Sequence, residues 1–303
     1  MDSEFIRRFY THLTNFFGIK AASYLLQFLA NLRFDHETYR LRPEHLAFGQ
    51  HPTVNDALCN RLISGTVVAK NNVQELTESG VIFELDDDKE TPVDSIILAT
   101  GYEISFPFLD RSLVWSANGK INLFKSVFPP GITHPHTLAI IGLAQPFGPL
   151  IPISEMQCRW FVQLMAGKAK LPSREEMIKD IERKRVQHDS RYYTSPRHQI
   201  QVDFAPYMDE LASQYGVKPN LIQLFLSDPV LWYHVYFGPL LPYQYRIHGS
   251  NCWPGARKAI LTVQERIQAP YQTRKLLRTK NKSTNLNLFA VVALFFAMFI
   301  YIF

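Results

Sequence analysis

The chain has 303 residues, 47% hydrophobic and 19% charged, enough apolar material for one large or two medium globular domains and unlike disordered, collagenous or coiled-coil chains. Its net charge of +5 is concentrated: residues 257–282 hold eight Lys/Arg against the single acid Glu265, which leaves the remainder at −2. A basic stripe on a nearly neutral body excludes a general nucleic-acid binder, which would spread cations over a face of its fold.

Phe5, Ile6, Phe9, Tyr10, Leu13, Phe16 and Phe17 recur at spacings of three and four and predict a helix; after Gly18, Ala22, Tyr24, Leu25, Phe28, Leu29 and Leu32 predict another. A polar passage containing Pro43 and Pro52 leads into the β-type runs LISGTVVA, VQEL, GVIFEL and VDSIILAT, so residues 62–100 read mostly as strand. Ile96 to Ala99 form an unbroken apolar run that stops at Thr100-Gly101, the pattern of a strand buried on both faces. TLAIIGL (137–143) has the same character, and both are expected inside sheets rather than at edges. The loop AQPFGPLIP then opens a helix in which Ser154 and Gln157 fit a capping box and Met156, Trp160, Phe161, Leu164 and Met165 form an apolar face ending before Gly167. Strand, glycine turn and helix N-terminus make a seat for negative charge. Ser173 with Glu176 signals a further capped helix, highly charged and solvated, and 203–282 mixes short helices with irregular segments.

From 286 to 303 the sequence LNLFAVVALFFAMFIYIF is uncharged, with Asn287 its one strongly polar side chain. As a helix it would reach ~27 Å, near the thin end of a bilayer's hydrocarbon core. Arg274, Lys275, Arg278, Lys280 and Lys282 just before it suit anionic headgroups on the cytosolic side, so the segment reads as a membrane anchor that spans or inserts obliquely. A buried terminal helix is the alternative, though such helices usually keep a polar stripe. The first twenty residues lack the continuous apolar core of a secretory signal. Cys59, Cys158 and Cys252 stand too far apart for zinc or CxxC pairing and read as reduced thiols.

No two of the 14 glycines form GxG, so GxGxxG and Walker A loops are absent, as are GxSxG and HExxH. His134 and His136 could share a strand face as metal ligands, but they follow Pro129-Pro130-Gly131 and read better as a turn. Asp86, Asp87 and Asp88 lack the alternation of a calcium loop and read as a hairpin turn. No metal site is expected.

VDSIILATGY (93–102) resembles the FATGY signature of the flavin-containing monooxygenases, with Leu98 in place of Phe. RFDHETYRLRP (33–43), HPTVND (51–56), FPFLD (106–110), TLAIIGLAQPFGPLIPISEMQCRW (137–160), KPNL (218–221), GPLLPYQYR (238–246) and WPGARKAI (253–260) resemble that family's segments in order and spacing. Arg40, Cys59 and Ser250 to Cys252 depart from the family pattern. The resemblance implies an α/β chain: an incomplete two-dinucleotide-binding-domain flavoprotein fold with a C-terminal membrane helix. Residues 1–98 would complete the NADPH-binding domain, 99–212 the FAD-binding domain, 213–285 a membrane-proximal region at the substrate entrance, and 286–303 the anchor. The family's two glycine-rich cofactor loops have no counterpart in these residues, so the chain looks like a C-terminal portion, inactive alone.

The implied activity is NADPH- and O2-dependent oxygenation of small molecules at soft nitrogen or sulfur, with FAD as the flavin, in the endoplasmic reticulum membrane with the bulk of the chain cytosolic. Membrane lipid is a further implied partner and nucleic acid is not. Thr100 and Gly101 at the domain crossover, and Gln145 and Ser154 on the strand–turn–helix, are the implied cofactor-binding residues, with ordinary turn chemistry as their alternative reading. No catalytic residue is nominated. The competing reading is a noncatalytic, membrane-anchored remnant or interaction partner.

Overall fold

The computed structural model describes residues 6–51, 53, 55, 57–87, 89–193 and 196–274, with mixed α/β secondary structure. The chain divides into two units, Met1–Ile260 and Leu261–Phe303. In the second, the described residues include the short helix Val263–Gln268. The anchor expected at 286–303 lies outside the described residues; among those described, no helix is long and apolar enough to cross a membrane.

The first unit begins with α1 (Arg8–Phe17) and α2 (Ile19–Asn31), separated at Gly18 as the spacing predicts. After α3 (Leu58–Ile63) comes an antiparallel sheet of β1 (Val73–Leu76), β2 (Gly80–Phe83) and β3 (Glu90–Pro92) in sequence order, with Asp86 and Asp87 in the turn between the last two. The two-residue strands β4 (Gln145–Pro146) and β5 (Gln201–Val202) pair in parallel. Between them lie α4 (Leu150–Met165) and α5 (Arg174–Arg191); α6 (Phe204–Ser213), α7 (Leu221–Ser227), α8 (Pro229–Phe237) and α9 (Ala256–Leu261) follow. The Ser173–Glu176 capping box at the start of α5 is present in both directions. His134 precedes a 3-10 turn, Pro135–Thr137, and His136 lies within it.

The main core gathers the apolar face of α4 (Ile153, Met156, Trp160, Leu164) with Phe124, Phe128, Met208, Leu211 and Tyr245. Trp160 is fully buried, with its ring edge-on to Phe128 at 4.8 Å between centroids and to Phe124 at 6.0 Å. Helix α1 ties the start of the unit to its end. Arg7 Nη1 donates to Phe237 O at 3.0 Å, the Leu240 amide donates to Ile6 O at 2.8 Å, and Phe9 packs on Phe237.

Three expectations are corrected. Residues 93–100 form no strand: Ile97 is 91% and Leu98 79% exposed. Residues 137–143 form none either, although the Ile140 amide donates to Val127 O at 2.9 Å and Ile140 and Leu143 are buried. An unbroken apolar run becomes an interior strand only where neighbouring strands take its N–H and C=O groups and other layers cover its faces. The described residues supply no such neighbours to either run. Finally, the expected strand from 62 onward is instead the end of α3 and an irregular stretch. Asn55 Oδ1 accepts from the Ala57 and Leu58 amides at 2.8 and 2.9 Å and starts the helix there.

Candidate functional site

The glycine turn before α4 is built as its sequence suggests, but it is wired differently. Gly142 has φ +81°, a conformation open to glycine, and its missing Cβ would sit 3.4 Å from Ser154 Oγ. Helix α4 starts at Leu150 with Pro149 as its N-cap, so Ser154 lies one turn inside the helix and caps nothing. Its hydroxyl donates a long 3.4 Å bond to Leu150 O. Proline at 149 and apolar residues at 150 and 151 leave the N-cap without a side-chain acceptor, and the helix simply begins five residues earlier than the Ser-Gln pair suggests.

Gln157, the other half of the expected box, is a buried crosslink. Its Oε1 accepts from the Gly142 amide at 2.8 Å, and its Nε2 donates to the Tyr207 hydroxyl at 2.9 Å. That hydroxyl donates in turn to Lys125 O at 2.5 Å. Burial raises the Tyr207 phenol far above its ordinary range, which keeps it a neutral donor. Lys125 and Ser126 are consecutive non-glycine residues at φ +52° and +58°, a costly left-handed pair. The ammonium of Lys125, itself 8% exposed, reaches Asp180 at 2.8 Å and Glu210, and Glu210 also meets Lys184. Burial first, with Lys125 adding to it, lowers Lys184 below the usual lysine range against the pull of Glu210. The strained turn is thus fixed by charge on one side and by Tyr207 on the other.

Of the four sequence-derived residues, Gln145 and Ser154 are brought to this turn. The Gln145 backbone is held in the ladder opposite Gln201 while its side chain is exposed. Gly148, at φ +144°, passes so close to Ile6 and Phe204 that an added Cβ would meet them at 2.7 and 3.1 Å. Thr100 and Gly101 are exposed on the irregular 93–105 segment. At its far end Ile104, and just beyond it Phe106, pack with Ile140 and Leu143. Residues missed in the sequence are Gln157, Tyr207, Lys125 and His51. A glutamine within the apolar Ile153, Met156, Trp160, Leu164 face was a visible signal; Lys125 gave none, since its partners lie 55 and 85 positions away. His51 packs edge-on against Phe147 at 5.6 Å and keeps a buried Nδ1 without a hydrogen-bond partner.

These residues do not by themselves fit a flavin dinucleotide. The amide of Gly142, which a phosphate would use, is taken by Gln157, and the Thr100-Gly101 turn is open to solvent. Replacing Gln157 by Leu is expected to cost about 1–3 kcal/mol in urea unfolding, because the half-buried Gly142 amide loses its acceptor and the buried Tyr207 hydroxyl loses its donor. Ser154→Ala, removing one long local bond, is expected to leave the midpoint almost unchanged.

The sequence places the chain in a known class. The flavin-binding monooxygenase-like family model matches residues 1–303, and the chain belongs to that family. Flavin-containing monooxygenase 5 of Homo sapiens is 46% identical over 298 residues, covering 96% of this chain and 55% of that protein. The Rattus norvegicus protein of the same name is 50% identical over 248 residues, 82% of this chain and 46% of its own length. Flavin-containing monooxygenase 3 of Canis lupus familiaris is 41% identical over 302 residues, 99% of this chain and 56% of that protein. The chain therefore spans about half the length of these relatives.

Proposed function

We propose that this chain carries the C-terminal portion of an NADPH- and O2-dependent flavin monooxygenase that oxygenates small molecules at soft nitrogen or sulfur, with FAD as the flavin. The observation that carries the reading is the family match along the whole chain. On this reading 1–98 belong to the NADPH-binding domain, 99–212 to the FAD-binding domain, 213–285 to a membrane-proximal region and 286–303 to an anchor in the endoplasmic reticulum membrane. Thr100, Gly101, Gln145 and Ser154 would meet the cofactors only in a longer chain that supplies the rest of each cofactor cleft; of the four, Gln145 stands next to the Gly142 turn with its side chain exposed. The Gln157–Tyr207–Lys125 chain holds the Gly142 turn in place from behind and touches no ligand.

The 303 residues expressed alone are expected to carry no bound flavin and to show no NADPH-dependent oxygenation of N,N-dimethylaniline above the blank. A chimera in which they replace the matching 298-residue stretch of human flavin-containing monooxygenase 5 is expected to bind flavin and turn over. Stoichiometric FAD with turnover in the isolated chain would overturn the first expectation. A folded, flavin-loaded chimera with no turnover would favour a noncatalytic protein.

A further inference from the structure

Away from the glycine turn, a pocket of about 640 Å³ opens between the 130–136 turn and the connection from α4 to α5. Its size falls in the range of small-molecule sites, roughly 300–1,000 Å³. The floor is apolar: Leu164 and Met177 belong to the main core, and Ala169 and Leu171 pack against it. The rim is basic, with Lys170, Arg174 and His136 all exposed. No described carboxylate forms an ion pair with any of the three. Elsewhere in the unit Lys120, Lys125, Lys184, Arg191, Arg246 and Arg257 each meet an acid. Glu176, two positions from Arg174, is turned back on its own helix start, where its Oε2 accepts from both the amide and the hydroxyl of Ser173 at 2.8 Å. Glu175 does not line the pocket.

We propose that this pocket binds an organic anion with an apolar body, of the alkyl or aryl carboxylate class. The apolar body would cover the half-buried Ile132, Ala169 and Leu171, which a bare inorganic anion would leave wet. The carboxylate would lie at the rim between Lys170 and Arg174, where a guanidinium and an ammonium give charge-assisted bonds. The site is separate from the Gly142 turn and does not depend on the flavin reading.

Decanoate, decanol and inorganic phosphate are the probes, titrated calorimetrically into the full 303-residue chain at low salt. Decanoate is expected to bind saturably at one site, decanol about tenfold more weakly, and phosphate without saturable heat. The double variant K170E/R174E is expected to weaken decanoate about tenfold while leaving decanol unchanged. Its two positions are exposed, so its far-ultraviolet circular dichroism should match the parent. Ala169→Trp, filling the pocket, is expected to remove both alkyl ligands. Equal binding of decanoate to parent and K170E/R174E would place the ligand on another apolar surface and overturn the assignment. Equal affinity for decanol and decanoate, or no saturable decanoate binding, would overturn it as well.

Discussion

Replacing Arg8 by Leu is expected to destabilise the first unit by about 3–5 kcal/mol, the range for removing one partner of a buried ion pair. Arg8 is 3% exposed, and its guanidinium donates to Asp209 at 2.5 Å, to Gln244 Oε1 at 3.1 Å and to the Tyr245 hydroxyl at 3.1 Å while lying over the Tyr245 ring. The variant leaves Asp209 with the Tyr245 hydroxyl at 2.7 Å and the more distant Lys218 at 3.8 Å, too little to answer a desolvated carboxylate. Asp209→Leu is expected to cost as much, because it strands the cation. The double variant R8L/D209L is expected to cost less than the sum of the two, since the partner left behind is what makes each single change severe. Denaturant midpoints of the three variants check this; additive losses would mean that the pair is not coupled.

Trp160→Ala is expected to remove about 3–5 kcal/mol and the near-ultraviolet dichroism that its fixed environment produces. The indole is fully buried between Phe124 and Phe128, and its buried Nε1 has no hydrogen-bond partner. Its contribution is therefore packing, and Trp160→Phe, which keeps an aromatic ring against both neighbours, is expected to cost much less. Total stabilities of about 5–15 kcal/mol make either alanine-scale loss close to unfolding. A Trp160→Ala midpoint within experimental error of the parent would show that the core closes over the gap.

Local signals in the sequence are recovered where they are self-contained. The α1–α2 break at Gly18 and the Ser173–Glu176 capping box depend on residues within a turn of one another, and both form. The 96–99 run is different, because an apolar stretch states a need for cover without specifying what provides it. Here it is left largely exposed. Ser154 and Gln157 have the right spacing for a cap, yet Pro149 starts the helix first and sends Gln157 inward to Gly142. Lys125 was illegible for a third reason: its environment is assembled from Asp180, Tyr207 and Glu210, and spacing arguments do not reach across such distances.

The bonds from Arg8 to Gln244 and Tyr245 span 236 and 237 positions of chain. A ribosome adding about 5–20 residues per second needs roughly 10–50 s to travel from one end of that cluster to the other. Throughout that interval α1 has been made while the residues that receive its guanidinium have not, and its aromatic side chains have no Tyr236 or Phe237 to pack on. Helix α1, made long before its partners, is thus among the last elements of this stretch to be secured. Slowing translation after residue 209 should prolong the period in which nascent chains are held by chaperones, whereas slowing it after residue 245 should not.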